Sequence, residues 1–421
     1  MPVSKNKDFD IAVIGGGPSG MMAAGRAAEL GAKVVLIERN EKPGRKLLLT
    51  GKGRCNITQA EFNKLILADK YGSQGKFLLS PFSLFGPAEV INFFKEKGLA
   101  TKIERGQRVF PQSDKALDVL KTLLTWLEKG GVTIMNETEV ISLRKENNKI
   151  ARILIKEGGE IRADNYILCS GGKSYPQAGS TGEGYRWAEQ LGHSVTKLSP
   201  ALVPFNIKEK WVKDLQGLTL KNVALTVFSD DKKVSSRQGE VLFTHFGLSG
   251  PIVLDMSREV GELLEKHKVK LFLDLKPSLD FAKLDKRIQR DFEKYQNKLF
   301  RNSLTDLLPA KMVPVIVEFS GIKDKKCVRE ITREERHKLV KLFKAMEMTV
   351  IDLLGFPRAI ITHGGVNLKE IDSKTMKSKL IDNLFFAGEV IDLDGPTGGY
   401  NLQLSWSTGY VAGQSAARNV S

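Results

Sequence analysis

Cysteine is scarce in this chain. Its 421 residues include three, Cys55, Cys169 and Cys327, too few and too scattered for a disulfide framework. No C-x-x-C pair and no Cys/His cluster occurs, so neither a zinc site nor a redox dithiol is expected, and no metal ligands are assigned. Long apolar runs are missing too: none approaches the ~18 residues of a membrane span. The opening MPVSKNKDFD carries two lysines with no apolar segment and cleavage site of a signal peptide behind them. These absences predict a cytoplasmic protein with reduced thiols and no membrane partner. There are no internal repeats and no low-complexity tracts. At 41% hydrophobic and 27% charged residues, the composition is that of an ordinary globular protein.

Positive charge is in excess, with 65 Lys and Arg against 49 Asp and Glu, a formal +16. Such an excess invites an anionic partner, nucleic acid or a membrane surface. The cations are nevertheless spread along the chain and mixed with acids, as in KEKGLATKIERGQR, with no basic block interleaved with aromatics. That dispersal argues against nucleic acid and for a solvated surface.

Glycine is concentrated where strands end. IAVIGGGPSG, residues 11–20, is a short apolar strand running into Gly15, Gly17 and Gly20, and MMAAGRAAEL then reads as a small-residue helix stopped by Gly31. AKVVLIE, 32–38, is a second buried strand, so the first forty residues form a βαβ unit. In this G-x-G-x-x-G, Gly15 permits the tight turn, Gly17 lets the backbone approach a pyrophosphate, and Gly20 lets helix and strand pack closely. Pro18 and Ser19 open the helix, whose N-terminus attracts an anion. Glu38 lies 18 residues beyond Gly20, where a carboxylate binds ribose hydroxyls; it argues against a 2′-phosphate despite Arg39 beside it. The whole pattern predicts a bound dinucleotide.

More than one domain is expected, because single cores stop growing at roughly 250–300 residues. A helix is plausible over 86–97, and ALDVLKTLLTWLEKGG places Leu117, Leu120, Leu124 and Leu127 at helical spacing as a core stripe. A meander follows, with turns at Asn147-Asn148 and Gly158-Gly159, and then YILCSGG repeats the strand-plus-glycine pattern. From about 196, ALVPFNIK, LKNVALTVF, EVLFTH, PIVLDMS and VKLFLDL read as short strands of a small antiparallel barrel or sandwich. A charged helical block follows, and EMTVIDLLG and PRAIITHGG read as strands returning to the barrel. The expected fold is therefore α/β: a Rossmann-like domain from both chain ends (1–195 and 362–421), an inserted antiparallel β-barrel (196–279 and 346–361) and a helical subdomain (280–345).

The C-terminal stretch LFFAGEVIDLDGPTGGYN resembles the signature of the glutathione reductase superfamily of FAD proteins. Together with PGRKLLLTGKGRCNIT, GEVLFTHFGLSGP, THGGVNLKEIDSKTMKSK and GPTGGYNLQ, it makes nearly the whole chain similar to the FAD flavoprotein family that includes aminoacetone oxidases and BaiN-type enone reductases. The resemblance implies FAD as cofactor, held by Gly388 and Glu389 near the ribitol and by the helix start at Gly398, Gly399, Tyr400, Asn401 and Leu402, whose dipole would face a reduced flavin. It also implies that Arg45, Lys46, Thr50, Gly51, Arg54, Cys55 and Asn56 lie along the flavin, with Ser170, Gly171 and Gly172 near the adenosine.

Flavin moves a hydride at N5, and the protein supplies orientation and a proton. His245 and His363, beside glycine turns, are the candidate proton shuttles, the alternative being strand-end imidazoles bonded to backbone. Tyr400 is a third candidate or a helix cap. Cys55 is read as packing rather than as a flavin adduct. With one G-x-G-x-x-G and no second nicotinamide turn, electrons come from the substrate and leave to oxygen, or come from NAD(P)H bound transiently. Three functions stay open: hydride transfer with a small-molecule substrate, action on RNA, or a flavin-binding redox scaffold. A monomer or homodimer is expected.

Overall fold

The computed structural model describes residues 8–156 and 158–420; the leading MPVSKNK, read above for signals, lies outside the described residues. Two compact units emerge, Met1–Pro200 with Ala359–Ser421, and Ala201–Arg358.

In the first unit β1 (Phe9–Ile14), α1 (Pro18–Glu29), β2 (Val34–Ile37), β3 (Thr133–Met135), β4 (Ala163–Leu168) and β5 (Leu384–Phe386) supply the central sheet. Its order is β5-β4-β1-β2-β3, and every pairing is parallel. Ile11–Ile14 and Val34–Ile37 are buried throughout, as strands covered on both faces must be. The chain proceeds outward from β1 through β2 to β3, then returns to lay β4 on the other side of β1. This reversal opens a crevice at the carboxyl ends of β1 and β4. Both chain ends meet in one layer: Gly409 and Gly413 of the final helix, Tyr400–Arg418, approach α1 so closely that a Cβ on either would overlap the backbone oxygens of Ser19 and Ala23.

The meander over 140–161 is a three-stranded antiparallel sheet turning at left-handed Asn147 and Gly158. The helix Ala116–Lys129 forms, but its stripe is rotated from the leucine spacing. Leu117 is exposed, while Val119, Leu120, Leu123, Trp126 and Leu127 are buried. Trp126 decides the rotation, because its ring fills the space left by Gly25 of α1. Among the described residues one apolar run does reach the length of a membrane span. Gly72–Glu96 reaches a mean hydropathy of 1.3 over 18 residues, so by length and composition it passes as a span. It is broken into Gly72–Leu78, Leu79–Leu84 and Pro87–Glu96, and Phe82, Phe85, Val90, Phe93 and Phe94 go into the unit's core.

In the second unit six antiparallel strands close into a ring, in the order Phe205–Ile207, Gly247–Ser249, Lys232–Phe243, Thr219–Ser229, Val269–Asp274, Met346–Leu353. Alternate residues such as Leu225, Val227, Leu271, Leu273, Met348 and Val350 fill it. PIVLDMS is not a strand. Pro251 occupies the first turn of a helix, Pro251–Leu264, where its missing N–H is harmless, and Ile252, Val253, Met256 and Val260 are buried at helical spacing. Nor does PRAIITHGG rejoin the ring: Ile361–His363 belongs to the first unit. The charged block contains α2 (Phe281–Lys294) and α3 (Arg333–Lys344), capped by Asp280 and by a Thr332/Glu335 box.

Candidate functional site

The crevice lies where sheet topology places it, at the ends of β1 and β4. Gly15, Gly17, Pro18, Ser19, Glu38, Arg39, Arg45, Lys46, Ser170, Gly171 and Glu389 line a single cleft. Residues up to 374 positions apart in sequence thus share one wall. Gly15 is left-handed, and its missing Cβ leaves room for the Cys169 carbonyl. Gly20 has the Gly15 carbonyl oxygen where a side chain would start. At Gly17 nothing stands within 4 Å of an added Cβ, so the backbone there faces open space. Pro18 is the first residue of α1, and its helix N-terminus points unpaired N–H groups at this opening.

Glu38 is 7% exposed and held from two sides. Its Oε2 accepts from the Gly16 amide at 2.9 Å, and Oε1 accepts from the Asn40 amide at 2.8 Å. Arg39 is tied away to Glu183 at 3.1 Å and to Glu139 at 3.4 Å. Arg45 is exposed, its nearest partner Asn40 Oδ1 at 3.5 Å. The second glycine turn continues β4, with Gly171 left-handed and Gly172 pressed against Thr362 and Glu389. Ser170 Oγ is buried without a hydrogen-bond partner among the described residues, and so is Asn56 Oδ1.

Glu389 anchors the far edge. Lys46 Nζ lies 2.9 Å from its Oε2, both side chains being mostly buried, and the Thr362 amide donates to Oε1 at 2.8 Å. Gly388 is left-handed and sits against Ser19, so the β5 turn is locked to the start of α1. Gly398 and Gly399, both left-handed, bring the chain into the final helix, and Asn401 is hooked to Gly395 by two 2.8 Å bonds. Leu402 packs on the unit's core from a half-buried position.

The loop after Lys46 is less accommodating to the expected flavin contacts. Thr50 Oγ1 donates to the Leu47 carbonyl at 2.7 Å. Gly51, Lys52 and Cys55 are all left-handed. Arg54 bonds Asp114 at 2.9 Å and Glu104 at 3.2 Å and covers the Phe110 ring, so its charge is already paired. The Cys55 thiol is wholly buried, which pushes its pKa to about 12, and it stays a protonated packing group.

The three proton-transfer candidates fall on different elements. Tyr400 is buried edge-on against Tyr71, whose hydroxyl donates to its carbonyl at 2.7 Å, a packing and capping position. His245 is exposed on the turn between Lys232–Phe243 and Gly247–Ser249, in the second unit. His363 remains with the cleft's own unit, next to Thr362, and its Nδ1 is 2.6 Å from Asp394 Oδ1. Asp394 escaped sequence reasoning although it stands in DLDGPTGG; an acid just ahead of a glycine turn was the available signal. Thr362 was also missed, and a hydroxyl that accepts from the Lys173 and Ser174 amides leaves no sequence trace.

A parallel sheet with a glycine turn and ribose acid at its switch point defines a Rossmann-type dinucleotide-binding class. The family model described as the HI0933-like protein Rossmann domain matches residues 9–415, and the chain belongs to this family as an FAD-dependent oxidoreductase. It is 32% identical over 411 residues to a 3-dehydro-bile acid delta(4,6)-reductase of Clostridium scindens, covering 97% of this chain and 98% of that one. It is 30% identical over 409 residues to a ribosomal RNA dihydrouridine synthase of Escherichia coli, covering 96% and 97%. In fold it is similar to a flavocytochrome c3 fumarate reductase, with a TM-score of 0.54, 16% identity and coverage of 99% of this chain and 79% of that one. A 3-ketosteroid-delta4-(5alpha)-dehydrogenase from Rhodococcus jostii gives 0.53, 17% identity and coverage of 99% and 98%.

Proposed function

We propose that this chain reduces a carbon–carbon double bond conjugated to a carbonyl. The observation that carries the reading is that one unit holds both a dinucleotide cradle and an acid–base pair: His363, oriented by Asp394, follows Thr362, whose amide fixes Glu389 at the cradle's edge. The residues fit FAD. Gly17 leaves room for a pyrophosphate over the start of α1, Glu38 is buried at the ribose position, and Ser170 Oγ is a buried hydroxyl still lacking a partner.

When bound, FAD supplies a hydride at N5. The protein's share is placement and the proton. Lys46 and Glu389 hold each other across the cleft, so neither charge is left unpaired at its edge. Asp394 accepts a hydrogen bond from the His363 Nδ1–H and so orients the imidazole as the group that exchanges a proton with substrate. The relatives support this chemistry, since a delta(4,6)-reductase of a 3-dehydro compound and a dihydrouridine synthase both, by name, saturate a double bond next to a carbonyl. As a reductase with one G-x-G-x-x-G and no second nicotinamide turn, the chain would take its reducing equivalents from NADH or NADPH bound transiently.

The test is anaerobic stopped-flow on the FAD-loaded protein, following flavin absorbance near ~450 nm. NADH or NADPH should bleach it, and 4-androstene-3,17-dione, as a probe enone, or a uridine-containing RNA should restore it. Return of colour with oxygen alone, and with neither acceptor, would mark an oxidase and end this reading.

A second reading, in which the alkene is a pyrimidine of RNA, is favoured by the dihydrouridine synthases of E. coli and Haemophilus influenzae, both similar over 96% of this chain.

A further inference from the structure

The first unit holds a second histidine–carboxylate pair, outside the residues that line the cleft. His193 is 4% exposed, its ring edge-on to Phe386 of β5 at a centroid distance of 4.9 Å. Its Nδ1 lies 3.1 Å from Glu370 Oε2, and its Nε2 lies 3.0 Å from Ser378 Oγ. The hydrogens can be placed by counting. Ser378 Oγ accepts from the Leu380 amide at 3.0 Å and from the Ile381 amide at 2.8 Å, which fills both its lone pairs. Its own hydrogen is therefore donated to Nε2, and the single hydrogen of a neutral ring sits on Nδ1 and goes to Glu370. An imidazolium would set a second hydrogen at Nε2 against a hydroxyl oxygen with no lone pair to spare. Burial lowers the His193 pKa against the opposing pull of Glu370, and Lys145 lowers it further. Burial pushes the Glu370 carboxyl up, but the bonds from Ser194 and His193 outweigh it, so its pKa is lowered and it stays charged.

This cluster closes one edge of the layer that carries His363 and Asp394. Glu370 Oε2 also accepts from the Ser194 amide at 2.9 Å. Beyond it, the Asn367 amide donates to the Ser194 carbonyl at 3.0 Å, and the Thr196 amide donates to the Gly365 carbonyl at 2.9 Å. Val366 donates in turn to the Val390 carbonyl at 2.9 Å and accepts from the Asp392 amide at 3.0 Å. His363 stands just before the middle segment and Asp394 just after the last. Three segments in register, 194–196, 365–367 and 390–392, thus connect the buried imidazole to the exposed-edge pair.

We propose that His193 is a positioning residue that works as a proton-operated clasp: neutral, it joins Glu370 to Ser378 and holds His363 and Asp394 in register, and protonated, it releases them. The catalytic half of this rests on the enone-reductase reading above. Opening returns His193 to the ~6.5 of a free imidazole, so the ratio of open to closed clasp rises by up to about tenfold for each pH unit below about 6.5 and is constant above about 7.

The experiment follows amide hydrogen exchange in the full FAD-loaded chain from about pH 5 to 7.5, with rates corrected for the intrinsic effect of pH. In wild type, peptides spanning 193–198 and 366–381 should lose about fivefold to tenfold in protection per unit below about pH 6.5, while peptides from the ring of the second unit do not. His193→Gln, whose amide accepts from Ser378 and donates to Glu370 but takes no proton, should hold its protection level throughout. With NADH and 4-androstene-3,17-dione, wild-type turnover should fall at least about fivefold further than that of His193→Gln between about pH 7.5 and 5.5, at unchanged KM. Equal flavin content and unfolding midpoint at about pH 7.5 show that the variant is folded; if it is not, the wild-type exchange profile decides.

Protection independent of pH in wild type, an equal loss in His193→Gln, or an equal loss across both units overturns the clasp. Local loss of protection with turnover falling equally in wild type and variant leaves His193 a structural imidazole and overturns its positioning role. If wild type turns over no enone at any pH, the enone reading falls and the exchange profiles alone decide the clasp.

Discussion

His363 and Asp394 lie 31 positions apart in the chain, and the imidazole Nδ1 stands 2.6 Å from the carboxylate Oδ1. The aspartate is largely buried and the histidine about a third exposed. A carboxylate in that position fixes the imidazole's tautomer and orientation. Asp394→Asn presents an amide instead and permits the wrong tautomer. It should lower the turnover number for enone reduction by about 10²- to 10⁴-fold, with KM and flavin content unchanged. His363→Gln should match it, and the double variant should be no worse than either, because the two act as a unit. An Asp394→Asn enzyme within twofold of wild type in turnover sinks the assignment.

The glycines of the first turn should fail in different ways. An added Cβ at Gly20 would overlap the Gly15 carbonyl, so Gly20→Ala should destabilise the unit by about 1–3 kcal/mol, as overpacking does. Gly17 has an ordinary extended backbone and open space around it, so Gly17→Ala should fold normally yet lose FAD. Thermal unfolding and flavin content of the two apo- and holo-proteins check this. Equal loss of stability in both would refute the geometric distinction.

Lys46→Met removes the cation that faces Glu389 and leaves a mostly buried carboxylate with, among the described residues, only the Thr362 amide. The pair is not fully desolvated, so the expected cost is about 1–2 kcal/mol of holo-protein stability, with weaker FAD retention on gel filtration. Retention like that of wild type would show that Lys46 is dispensable to the cradle.

The buried thiols set a pH limit. Cys55 and Cys169 are each pushed to about 12 by burial, above the ~8.5 of an unfolded thiol. The folded state therefore holds these protons more tightly. Their contribution to stability is complete below about pH 8.5 and is lost as pH rises toward 12. The urea midpoint should be flat on this account between about pH 7 and 8 and fall above about 9. Ellman's reagent at pH 8 should react rapidly with the partly exposed Cys327 and only on unfolding with the other two. Rapid labelling of Cys55 in the native protein would contradict its burial.

Much of the cradle was legible because its determinants are local. A strand, a turn and a helix start need only neighbouring residues, and the glycine spacing states which backbone atoms must approach. The loop at Arg54 was less legible. Its residue types suit an anionic cofactor, but Glu104 and Asp114 arrive from elsewhere in the chain and take the charge first. The helix at Pro251–Leu264 was misread because a short apolar run suits a strand as well, and length and packing arbitrate between them.

By itself the sequence determined that β1, the glycine turn and α1 would form a dinucleotide site, since that motif is written in consecutive residues, and that both chain ends would share one sheet. Tertiary structure alone decided which charges stay available: it gave Arg39 and Arg54 to carboxylates and set Asp394 behind His363. The physical reason is that ion pairing and burial depend on distances between elements remote in sequence, which spacing along a chain does not encode.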